Sequence, residues 1–338
     1  MTLRTAFTDQ AWHCEQLGSP FMARLMSLLS ERLETGTPVA DRVLGWAGDP
    51  APTADSVPLR LAGALHAIKL RGLALEDVYP PRDVDDDTLW SALKRAMTQH
   101  SAQVLDWLEQ APQTNEVRRA AVILPALCCL QDRYGMPVEL LELGTSGGLN
   151  LRADHFRLDL SDRHIGPDEA TVVLAPEWSG HLPPCSLPRV VGRSGVDISP
   201  VDSLAPEGRL KLLAYLWADQ PDRLARTEAA IELARRIPAK VDAEDAGAWT
   251  MRALARPAPD RLRVVFHTVA AQYFPDETRE SIETAIDRAT GPIARLAMEN
   301  DGGRGAGVTM TWPDGQTDEI ARADFHGRWV EWRLPGAT

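Results

Sequence analysis

The chain has 338 residues, enough for two modest domains or one domain with additions. Its 44% apolar and 25% charged content is that of an ordinary globular protein. A net charge of −12 argues against a standing nucleic-acid surface, because neutralising phosphates takes clustered Lys and Arg. The basic pairs Arg118, Arg119 and Arg235, Arg236 read as solvated helix faces. Cys14, Cys128, Cys129 and Cys185 show no CxxC spacing, so buried free thiols in a reducing cytoplasm are expected. The opening residues lack the apolar stretch of a signal peptide, and no run is long enough to span a bilayer. The expectation is a cytoplasmic protein with neither a nucleic-acid nor a membrane partner.

Residues 1–135 read as helices only. Phe21, Leu25, Leu28, Leu29 and Leu33 recur at helical spacing up to Gly36, and Leu61, Leu65 and Ile68 mark a helix that stops at Gly72. Asp83, Asp85, Asp86 and Asp87 precede a long helical pattern from Leu89 to Leu108. Capping and compensation of the helix dipole explain them better than a metal cluster does. A further helix, Glu116 to Tyr134, ends at Gly135.

From residue 136 to the end, strands alternate with helices, the pattern of an α/β sheet. Val138 to Leu143 is a short apolar run, and Gly144, Thr145, Ser146, Gly147 and Gly148 follow as a tight turn. Glycine permits a sharp turn and a close approach to a ligand. The segment behind it, including Asn150, reads as a helix whose N-terminus would offer free N–H groups. Residues 155–188 form an insertion with its own hairpin, in which Glu177, Trp178 and His181 are possible site-lining residues, although an aromatic beside a charge is more often simple packing. A strand ending at Asp197 and Ile198 comes next, then a broken helix from Leu210 to Arg236 and a short strand leading to Asp242 and Asp245. Leu262 to Phe266 is a buried strand that delivers His267, with Tyr273 in the following loop and a helix from Asp276 to Ala289. Ile293 to Met298 is one more strand. Val308 to Trp312, Thr317 to Ala323 and Trp329 to Leu334 close the chain as antiparallel strands at a sheet edge.

The string Glu142-x-Gly144-x-Ser146-x-Gly148 resembles the first motif of class I S-adenosylmethionine (SAM)-dependent methyltransferases, with Ser146 at the middle glycine. Gly195 to Pro200 looks like their second motif, Asp242 to Asp245 stands at their adenine-contacting turn, and Val264 to Pro275 resembles their fourth strand and its loop. Over nearly its whole length the chain is similar to a bacterial family catalogued as domain of unknown function, family 2332. The methyltransferase resemblance implies a Rossmann-like, mostly parallel sheet with an antiparallel hairpin at its C-terminal edge, and SAM as cofactor. It further implies that Glu142, Gly144, Thr145, Ser146, Gly147, Gly148 and Asn150 hold the amino-acid portion of SAM. Asp197 and Ile198 would take the ribose, and Asp242 the adenine side. His267 and Tyr273 would stand beside a small-molecule acceptor. The distance from Gly148 to Asp197 exceeds the usual spacing of about 20 residues, which the insertion would explain.

Two other readings use the same residues. A sheet of this kind can bind a ligand without catalysis, or serve as an interaction module. Gly144 to Gly148 also satisfies the G-x-S-x-G pattern of a hydrolase elbow with Ser146 as nucleophile, although no strands precede it as that fold requires.

Overall fold

The computed structural model describes residues 1–335. In chain order its elements begin with α1 (Leu3–Gln16), α2 (Pro20–Arg32), α3 (Pro38–Leu44), α4 (Val57–Leu70), α5 (Asp86–Gln99), α6 (Ser101–Leu108) and α7 (Ala120–Tyr134). Next come β1 (Val138–Leu143), β2 (Arg157–Asp159), β3 (His164–Ile165), β4 (Val173–Leu174), β5 (Glu177–Gly180) and β6 (Val190–Asp197). The helices α8 (Pro206–Ala214) and α9 (Pro221–Arg236) precede β7 (Lys240–Ala243), α10 (Ala246–Leu254), β8 (Leu262–Thr268) and α11 (Asp276–Arg288). The last strands are β9 (Ile293–Asn300), β10 (Ala306–Thr311), β11 (Thr317–Ala323) and β12 (Trp329–Trp332). Residues 1–114 and 205–225 form one compact unit, and residues 115–204 and 226–335 belong to the other. Among the described residues no helix is long and apolar enough to cross a membrane.

The first unit is helical. Its core includes Leu25 and Leu29 of α2 and Leu61 and Leu65 of α4, each pair at helical spacing, with Leu93 of α5 and Val104 of α6. The aspartates before α5 act at its start. Asp85 accepts the Thr88 amide at 2.9 Å as N-cap, while Asp86 and Asp87 pair with Arg24 and Arg32 of α2 at 2.7 and 2.6 Å. The long helix expected from Leu89 to Leu108 is two helices, because the chain turns at His100. The sequence reading also passed over α1 and α3.

The second unit contains a nine-stranded, mostly parallel sheet in the order β5-β12-β11-β10-β9-β8-β1-β6-β7. β1 lies inside it, parallel to β6 on one side and β8 on the other. From β1 the chain builds outward through β6 and β7, then returns to the opposite side for β8 and β9. The strand order therefore reverses between β1 and β8, where parallel α/β sheets open a crevice beyond the strand C-termini. β10, β11 and β12 extend the far side as an antiparallel meander.

In the insertion, β2, β3 and β4 form a separate three-stranded sheet, and β5 leaves it to pair with β12. Glu177 and Trp178 are thus residues of the sheet's outermost strand, with Trp178 stacked on Trp332. His181 sits at the end of that strand, its amide bonded to the Trp332 carbonyl. Edge pairing and ring stacking thus give these three the packing role that the sequence offered beside site lining.

Candidate functional site

β1 is buried along most of its length and ends in the tight turn. The amides of Gly144 and Thr145 both donate to the Val196 carbonyl of β6, at 2.9 and 3.1 Å, and the Gly148 amide donates to Thr145 at 2.8 Å. Gly144, Ser146 and Gly148 adopt φ of 69°, 52° and 68°. A Cβ on Gly144 would lie 2.5 Å from the Ala270 side chain, and one on Gly148 would lie 2.9 Å from Val241. Both glycines therefore admit neighbouring protein atoms, whereas the sequence suggested room for a ligand. The helix expected after the turn is present as a 3-10 helix, Leu149–His155.

Glu142 lies beneath this turn, 3% exposed, and Thr145 Oγ1 donates to its Oε2 at 2.5 Å. Burial pushes its carboxyl up to about 8, against the pull of the Thr145 hydroxyl and of Arg152 and Arg119. At neutral pH it is largely protonated. Arg152 is itself buried, with Nε on the Ile237 carbonyl and Nη1 on the Gly148 carbonyl at 2.9 and 2.5 Å, and burial lowers its guanidinium to about 10. Asn150 is 1% exposed. Its Nδ2 donates to the Glu116 carbonyl, while its Oδ1 is buried without a partner.

Asp197 closes β6. Its Oδ2 accepts the Ser146 amide and its Oδ1 accepts the Ser199 amide, both at 2.9 Å. The carboxylate remains partly exposed, and Ile198 beside it is 77% exposed. Asp242, at the end of β7, has its carboxylate occupied. Trp249 Nε1 donates to Oδ2 at 2.8 Å, Lys240 lies 2.9 Å from Oδ1, and Arg252 approaches at 3.4 Å.

β8 is buried throughout and carries His267, 2% exposed, near its end. Nδ1 lies 2.7 Å from Oε1 of Glu299 on β9. The same oxygen accepts the amides of Ala270 and Ala271 at 3.0 and 3.2 Å. Burial alone would raise the Glu299 carboxyl, but these hydrogen bonds outweigh it and hold the group below its ordinary value. An ionised carboxylate only accepts, which assigns the proton to Nδ1. His267 Nε2 and Glu299 Oε2 are buried without partners. Two residues beyond His267, Val269 is held at φ 55°, a conformation that is strained for a β-branched residue. Tyr273 is 68% exposed, and it is Phe274 whose ring meets His267 edge-on, with centroids 6.3 Å apart.

Among the described residues, two of the four non-glycine residues with positive φ, Ser146 and Val269, thus follow the two strands that flank the reversal of strand order. Strain and unpartnered buried polar atoms tend to collect at functional sites. Ser146 Oγ and His267 Nε2 are both unpartnered, so the nucleophile–base bond of a hydrolase is not made.

Five residues here escaped the sequence reading. Glu299 had a signal, an acid closing a strand just past Met298. Asn115 accepts the Leu149 amide at 2.8 Å, and Glu116 supplies the carbonyl for Asn150, yet neither stands in a motif. Arg119, expected on a solvated face, donates to the carbonyls of Thr268 and Phe325, both at 2.9 Å. Arg152 looked like any helix-surface arginine. A concavity of about 490 Å3 bounded by Val190, Arg193, Pro238 and Lys240 lies at the opposite ends of β6 and β7. Its chemistry is plainer than that of the strand C-termini, where the acids, strain and orphan atoms gather.

A family model described as "Uncharacterized protein conserved in bacteria (DUF2332)" matches residues 4–332. No curated protein and no solved structure matches the chain.

Proposed function

The chain belongs to this bacterial family, and from that premise we propose that it binds SAM at the C-terminal ends of β1 and β6 and transfers its methyl group to a small acceptor. The observation that carries this reading is the pairing of a held carboxylate with an exposed apolar side chain, Asp197 and Ile198, beside the reversal of strand order.

The fit of the cofactor rests on donor and acceptor capacity. A carboxylate offers about four lone-pair positions. Backbone amides take one on each Asp197 oxygen, which leaves each oxygen an acceptor direction for the two ribose hydroxyls. Ile198 offers an apolar seat for a purine. Glu142 suits the cationic amino group once it gives up its proton. Asp242 keeps less capacity for the adenine amine, because Trp249, Lys240 and Arg252 already use three of its acceptor positions. Bound SAM would supply an activated methyl group on sulfur. The chain's part is to orient the two reactants, exclude water and manage the acceptor's proton.

A second reading, ligand binding without turnover, draws on the burial of Glu142, Thr145, Ser146 and Asn150 under the chain's own atoms. Calorimetric titration with SAM and S-adenosylhomocysteine, followed by a screen for turnover, separates the two. Binding with methyl transfer supports the first, and binding alone supports the second.

A further inference from the structure

We propose that His267 and Glu299 form a proton-accepting dyad whose ligand is a neutral molecule bearing a hydroxyl or N–H group, with His267 Nε2 as the base and Glu299 as its positioning residue. Three observations on neighbouring strands support this. Glu299 Oε1 gathers Nδ1 of His267 and two backbone amides, which fixes the ring and leaves Nε2 as the bare lone pair. Nε2 is buried with no protein partner, an arrangement that a structural histidine normally avoids. The chain is strained at Val269, immediately beyond the strand that presents the ring.

The surroundings define the chemistry. The Glu299 carboxylate on β9 is bonded to the ring, and the Arg119 guanidinium is bonded to the backbone carbonyl of the next residue, Thr268. The Phe274 ring closes one side. A neutral ligand brings no charge of its own into this buried setting, whereas a cation would first have to be desolvated. In the step itself the ligand's O–H or N–H bond breaks and the proton joins the Nε2 lone pair. The bonding electrons stay on the ligand atom, which becomes the nucleophile, and Glu299 keeps its charge throughout. The fate of that nucleophile as a methyl acceptor rests on the functional reading above; the dyad does not.

The test uses the full chain and a small neutral methylating probe, methyl p-nitrobenzenesulfonate, without cofactor. A reactive Nε2 attacks the methyl carbon and the sulfonate leaves with the C–O electrons. Peptide mass spectrometry then locates the added methyl. The expected result is modification of His267, slowed at least about tenfold in Glu299→Gln and recovered in Glu299→Asp. Exposed His13 and His181 serve as internal controls, and circular dichroism checks that each variant is folded. Reaction at His13 and His181 with His267 untouched overturns the proposal. So does a folded Glu299→Gln that reacts as fast as the native chain. Failure of SAM to bind is read separately by calorimetry and leaves this result standing.

Discussion

The Ser146 amide donates to Asp197 Oδ2 at 2.9 Å, tying the turn after β1 to the end of β6. The bond joins the two segments that the sequence motifs identified, and the Ser199 amide occupies the other oxygen. Asp197 therefore organises the site before any ligand arrives. Asp197→Asn keeps the shape but loses the charge and turns one acceptor into a donor facing an N–H. It is expected to lower unfolding free energy by about 1–3 kcal/mol in urea denaturation of the ligand-free chain.

Ser146 stands at the middle glycine of the motif with φ 52° and a buried, unpartnered hydroxyl. Ser146→Gly removes both the backbone strain and the unsatisfied oxygen. The greater freedom of glycine in the unfolded chain offsets part of that gain. The net expectation is stabilisation by about 1 kcal/mol in thermal unfolding. Fluorophosphonate labelling of the native chain at Ser146 is expected to be absent, and labelling would reinstate a nucleophile.

Gly144 behaves in the opposite sense. Its φ is 69° and an added Cβ would lie 2.5 Å from Ala270. Gly144→Ala is expected to cost about 2–4 kcal/mol, read as a fall in melting temperature without ligand. A variant that kept native stability but lost binding would show that the glycine serves the ligand and not the packing.

Glu142 sets a pH dependence whose sign follows from burial. Its carboxyl is raised from 4.5 to about 8, so across that window the folded chain keeps a proton that the unfolded chain has lost. The contribution to stability is full below the lower value and fades as pH rises through the upper one. Glu142→Gln keeps a neutral side chain of the same shape. It is expected to match the native melting temperature at the acid end of the window and to exceed it at the alkaline end. If the cationic amino group of SAM docks beside Glu142, binding at neutral pH also releases a proton, measurable by calorimetry in buffers of different ionisation enthalpy.

Much of the sheet was legible because buried parallel strands announce themselves. Val138 to Leu143 and Leu262 to Phe266 are mostly apolar runs, interrupted by Glu139, Glu142 and Arg263, and both are strands inside the sheet. Asp85 was readable as a cap because capping is local chemistry. The break at His100 was not, since Leu89 to Leu108 keeps one apolar period through the turn. The positions of Glu142, Asp197 and His267 at strand ends followed from the motif order, but their surroundings did not. Arg119, Asn115 and Glu299 reach the site across long sequence separations, and only the fold reveals that Glu299 meets His267 or that Asp242 is taken by Trp249.

The central claim meets its most direct test in calorimetric titration of SAM into the native chain and into folded Asp197→Asn. The account predicts saturable binding to the native chain, weakened about tenfold or more in the variant through loss of a charge-assisted acceptor. No heat of binding in the native chain with either SAM or S-adenosylhomocysteine would contradict it, as would equal affinity in the two proteins.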